Sequence, residues 1–140
     1  MSVTIKAWLS IGSTYTYLTA LRLQNVIEAS GIKLDIRPIS IRQIMKNMDN
    51  IPFPSSKKTK VDYMWRDIQR RAKFYSLPVP HVPAAYPLKE FDRANLVGIV
   101  MEREGKYLEY LEETYRAWFL DGLEAGSDQN LENVSRIMGV

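Results

Sequence analysis

The residues best placed to do chemistry are Gly12, Ser13 and Thr14. They stand between an apolar run, Val3 to Leu9, and an amphipathic stretch that opens at Thr14. A hydroxyl at a strand-to-helix turn lies among backbone N–H groups that the helix leaves without partners, at the positive end of its dipole. Phosphates, carboxylates and thiolates bind in such places. The chain has no cysteine, so this turn offers serine and threonine where a dithiol redox enzyme carries a cysteine pair, and dithiol chemistry is excluded. His81 is the only histidine, and one histidine without cysteines makes no metal site.

The elements that must position the turn follow from hydrophobic periodicity. Residues 3–9 read as a buried strand and residues 14–30 as one helix, with Ser13 as N-cap and Gly31 as its stop. Ile32, Leu34 and Ile36 alternate with Lys33, Asp35 and Arg37, which predicts a second strand ended by Pro38. A helical crossover makes the two strands parallel. Further helices are expected over 41–48 with Ser40 as cap, over 57–75, 89–103 and 106–120, and from an Asp128 N-cap to about Met138. Residues 49–55 form a loop, and Pro78, Pro80, Pro83 and Pro87 keep their stretch irregular. Trp65, Tyr115 and Trp118 read as core, His81 as a surface loop residue, and Arg37 as solvated or paired. Two strands followed by five helices leave both strands with an unpaired edge. The expectation is therefore either an unusually small sheet or the N-terminal part of something longer.

The 140 residues are 46% apolar and 25% charged, which suits one core. No apolar run reaches the roughly 18 residues of a membrane span, and the N-terminus lacks a secretory pattern. With no cysteine, these features predict a cytoplasmic protein with no membrane partner. The net charge of +3 hides a split, +8 over residues 1–80 and −5 over 81–140. Lys57, Lys58, Lys60, Arg66, Arg70, Arg71 and Lys73 carry much of the basic half. That half suits an anionic partner or a solvated helix face. It lacks the interleaved aromatics of a nucleic-acid binder, so no nucleic acid is expected.

Four motifs in order carry a resemblance: Ser13-Thr14-Tyr15-Thr16-Tyr17-Leu18 opening a helix, Asp35-Ile36-Arg37-Pro38-Ile39-Ser40, Ile44 through Pro52, and Lys60-Val61-Asp62-Tyr63. Together they resemble the 2-hydroxychromene-2-carboxylate isomerases and are similar to the kappa-class glutathione transferases, both of the DsbA-like branch of the thioredoxin superfamily. Thr14 stands where that family usually has proline, and Ser10 where it usually has an acidic residue. The implied fold class is α/β: a thioredoxin-like β-α-β unit over residues 1–39, then an all-helical insertion domain over 40–140. The family's C-terminal strands would be missing.

The resemblance implies glutathione as cofactor. Ser13 would be the catalytic residue, donating to the glutathione sulfur and favouring thiolate over thiol; the plainer reading is that it caps the helix. Asn50 and Lys60 would contact glutathione, the first as a donor and acceptor for a peptide, the second as a point charge for a carboxylate. Of Tyr15 and Tyr17, one would pack in the core and the other border a substrate pocket. The implied partner is a small aromatic or unsaturated electrophile, and the implied assembly a homodimer. An isomerase of 2-hydroxychromene-2-carboxylate type would return glutathione free, a kappa-like transferase would release the conjugate, and a truncated non-catalytic binding protein would do neither.

Overall fold

Two β-patterned segments pair as the parallel strands β1 (Thr4–Leu9) and β2 (Lys33–Pro38), in register from Thr4 opposite Lys33 to Leu9 opposite Pro38. The computed structural model describes residues 3–51, 53–54 and 56–140. Pro52 and Ser55, within the loop expected over 49–55, lie outside the described residues. Between the strands run α1 (Thr16–Ala20) and α2 (Leu23–Ser30). After them come α3 (Ile41–Asn47), α4 (Lys58–Phe74), α5 (Phe91–Arg103), α6 (Tyr107–Phe119) and α7 (Asp128–Met138). The sheet has two strands among the described residues. This is the β-α-β unit followed by helices that the pattern predicts. Among the described residues, no helix is long and apolar enough to cross a membrane.

Three local expectations are corrected. The single helix over 14–30 is two helices, because Arg22 interrupts it. In a continuous helix the Leu18 carbonyl would accept from the Arg22 N–H. It accepts instead from Arg22 Nε at 2.9 Å, while the N–H turns back to the Thr19 carbonyl at 3.1 Å. The guanidinium then lies 3.6 Å over the Tyr75 ring, where cation–π attraction holds it. The N-cap of α1 is Tyr15, without a side-chain cap bond, and not Ser13. At α7 the cap is Ser127, whose hydroxyl accepts from the Asn130 N–H; Asp128 is the first helical residue and pairs with Arg93 at 2.7 Å. Ser40 caps α3 and Gly31 closes α2 at φ +68° as expected.

β1 is not buried: its Ile5 and Trp8 are 46% and 60% exposed. A strand becomes buried when neighbours flank it and layers cover both faces, and here each strand has one neighbour. The core lies instead around α6, whose Tyr107, Tyr110, Leu111, Tyr115, Trp118 and Phe119 are buried. Trp65 packs edge-on against Phe119 at 5.6 Å, and Tyr17 stacks on Phe119 at 4.8 Å. The buried apolar side chains form one cluster, from Ile11 and Tyr17 at the crossover to Val134 in α7.

Candidate functional site

Parallel strands end on the same side of a sheet, and ligands of open α/β sheets bind beyond those carboxyl ends. Here both chain segments that leave that end are tied together. The Ile39 N–H donates to the Leu9 carbonyl at 2.9 Å. The Ile41 N–H, at the start of α3, donates to the buried Ser10 hydroxyl at 3.0 Å.

The loop from Ile11 to Tyr15 is held from behind by two side chains of the core. Asn95 on α5 accepts from the Ile11 N–H at 2.8 Å and donates to the Ile11 carbonyl at 2.9 Å. Tyr115 on α6 donates to the Ser13 carbonyl at 2.6 Å and accepts from the Gly12 N–H at 3.3 Å. Burial raises the Tyr115 phenol well above its ordinary value, so it remains a donor at any ordinary pH. Gly12 has φ +138°, backbone that only glycine adopts without strain. The Thr14 hydroxyl donates to Met64 Sδ at 3.0 Å, and the Tyr15 hydroxyl to Asp67 Oδ2 at 2.7 Å. Asp67 is held below the usual carboxylate range by that bond first and by Arg71 and Arg70 after it. Burial, then the Asp67 bond, push the Tyr15 phenol up to about 12.

Of Ser13 these bonds use only the carbonyl and leave the hydroxyl out. Ser13 is half-buried and lines a cavity of about 100 Å³. Gly12, Thr14 and Tyr15 continue its loop wall. Opposite stand Ile41, Arg42 and Met45 of α3, with Phe53 and Tyr86 closing the sides. No carboxylate lines the cavity among the described residues. Burial raises the Tyr86 phenol, and the Arg42 guanidinium beside it pulls back.

The site residues expected from sequence are thus only partly gathered. Ser13 and Tyr15 share the cavity. Lys60 is exposed on α4, its Nζ 5.1 Å over the ring of Phe53, so it reaches the rim through that ring. Asn50 is exposed outside the lining, its N–H given to the Met45 carbonyl at 2.9 Å. Tyr17 is fully buried, its hydroxyl donating to the Pro78 carbonyl at 2.6 Å. It is the core member of the tyrosine pair and does not line this cavity. Arg42, Tyr86, Asn95 and Tyr115 were missed as site residues. Arg42 could have been found, since it follows β2 as Ser13 follows β1. Of the basic residues on α4, Arg70 and Arg71 are bound to Asp67 and Lys58 to Asp62.

Roomier hollows lie elsewhere, of about 300 Å³ beside Pro38 and Leu96 and about 460 Å³ beside Trp8 and Arg37. They flank β2 and lack the convergent hydroxyls of the Ser13 cavity, which is the candidate site on its chemistry.

A model of the DSBA-like thioredoxin domain matches residues 4–140. A solved structure of a selenomethionine 2-hydroxychromene-2-carboxylate isomerase superposes with a TM-score of 0.76 at 23% identity, over 99% of this chain. The chain spans 66% of the length of that isomerase. No curated protein matches the sequence.

Proposed function

Because the chain belongs to the family of DSBA-like thioredoxin domains, we propose that it acts in glutathione-dependent isomerisation of 2-hydroxychromene-2-carboxylate type, with Ser13 against the glutathione sulfur. The observation that carries this reading is the Ser13 hydroxyl, left out of the bonds that fix its loop and set in a cavity without a carboxylate. A thiolate needs donors and positive charge. The lining offers the hydroxyls of Ser13 and Tyr86 and the guanidinium of Arg42, so the donor set fits.

Size limits what the cavity takes. Sites that enclose a drug-sized ligand run to about 300–1,000 Å³, against about 100 Å³ here. The cavity suits a thiol and its methylene, with the rest of the tripeptide running out over α3 and the start of α4. Lys60 and Asn50 lie on that side, where they would meet a carboxylate and a peptide group. Glutathione, when bound, supplies a nucleophilic thiolate. Ser13 would donate to the sulfur. Tyr15, at the rim, would border an aromatic or unsaturated electrophile.

Thermal unfolding with millimolar glutathione tests this. A ligand at ten times its Kd stabilises by about 1.4 kcal/mol, a rise of a few degrees in Tm. Ser13→Ala should abolish that rise while leaving the Tm without ligand unchanged. A rise that survives Ser13→Ala, or no rise in the wild type, refutes the reading. Mass balance then separates the two reactions. An isomerase leaves total free glutathione constant, and a kappa-like transferase consumes it.

A further inference from the structure

We propose that Arg42 is the cation that holds a bound sulfur as thiolate in the Ser13 cavity; this rests on the glutathione reading above. The first support is where the charge stands. Ser40 caps α3, which puts Arg42 in its first turn. A cation there opposes the helix dipole, so Arg42 contributes nothing favourable to the helix that carries it. The second is what it lacks. Arg37, Arg70, Arg71, Arg93 and Arg116 each pair with a carboxylate within 3.2 Å. Arg42, like Arg22, Arg66, Arg103 and Arg136, has no such partner among the described residues, but of these it is the one that lines the Ser13 cavity, which holds no carboxylate.

The third is a need on the opposite wall. The expected source of positive potential was a helix of about seventeen residues over 14–30. The structure supplies a five-residue α1 capped by Tyr15. The N-terminal field of one and a half turns cannot by itself be relied on to ionise a thiol, because the dipole effect sums over aligned peptides. Arg42 is half-buried, where a charge acts through a lower effective dielectric than at the surface. The other charged and titratable groups around the cavity do not replace it. Lys60 is exposed behind Phe53, Asp67 is engaged by Tyr15 and two arginines, and Tyr86 stays neutral.

The full chain with glutathione, titrated with base and followed by thiolate ultraviolet absorbance, tests this directly. The wild type should show a bound-thiol pKa below the roughly 8.5 of a free thiol. Arg42→Ala should raise it by about one unit, about tenfold less thiolate at neutral pH, and Arg42→Lys should recover part of the shift. S-methylglutathione has no ionisable thiol, so wild type and Arg42→Ala should bind it alike, which also shows that the variant is folded. An unchanged thiol pKa in Arg42→Ala overturns the proposal. So does an effect confined to the KM of a carboxylate-bearing acceptor, which would make Arg42 a reader of that substrate. Absence of any glutathione binding by the wild type overturns the glutathione reading and this one together.

Discussion

The two walls of the Ser13 cavity are built differently. The loop wall, Ile11 to Tyr15, is tied to the core by Asn95 and Tyr115, both buried, and Ile11 itself is fully buried. The opposite wall is α3, a seven-residue helix with no buried residue, joined to the loop wall through the Ser10 hydroxyl. The residue expected to meet the sulfur sits on the wall tied to the core. Arg42, the proposed partner of the sulfur, and Met45, which would shape what else enters, sit on a wall with little packing to lose. Preorganisation asks for reacting groups on fixed supports; the loop wall meets this through Asn95 and Tyr115, and α3 through its tie to Ser10.

The comparison breaks first at Asn95. Asn95→Ala removes the partner of the Ile11 N–H and the bonds to the Ile11 and Phe91 carbonyls, leaving the Ile11 carbonyl only a 3.5 Å bond from the Ser10 hydroxyl. Buried polar groups left without partners cost about 1–3 kcal/mol each, so urea unfolding should show a loss of about 3 kcal/mol or more. The matching truncation on the other wall, Met45→Ala, should cost less than about 1 kcal/mol. Equal losses would mean that α3 is as firmly seated as the loop. Tyr115→Phe comes next. It keeps the ring in the core and removes only the hydroxyl shared by Gly12 and Ser13, for about 1–3 kcal/mol. Glutathione binding should weaken with it although Ser13 is intact. Unchanged affinity would show that the loop keeps its shape without the tyrosine.

The loop wall was legible in the chain and its support was not. A strand pattern, small residues and an amphipathic run locate Ser13 without any structure. Its two supports lie 84 and about 100 positions away, and nothing local marks them. The break at Arg22 was hidden for a related reason. Every residue from Thr16 to Ser30 can be helical, and the interruption is made by one side chain taking a backbone acceptor and stacking on Tyr75. Periodicity located β1, and the strand count already left it one neighbour; its burial was misjudged because an apolar run does not say whether layers cover both faces. Ser127 and Asp128 are both good caps, and the extended backbone of Ser127 decides between them.

Tyr15 joins the fixed wall to α4, and its titration sharpens the comparison with the smallest expected effect. The folded chain holds this phenol, and that of Tyr17, up to about 12. In the unfolded chain both return to about 10. Above that pH the unfolded state loses tyrosine protons that the folded state keeps, so stability falls as pH rises. The contribution is fully present below about pH 10 and is lost between about 10 and 12. Tyr15→Phe removes one of the groups responsible, so its alkaline unfolding curve should be shallower than that of the wild type. The effect is smaller than a fully buried tyrosine would give, because Tyr15 faces the cavity and solvent screens it. Burial of the ring is the larger cause of the shift and the Asp67 bond the second. Asp67→Asn should therefore restore only part of the shallower slope. If Asp67→Asn flattens the curve as much as Tyr15→Phe does, the phenol is held by the α4 carboxylate and not by its place in the loop wall, and the division between a fixed and a loose wall fails at that edge.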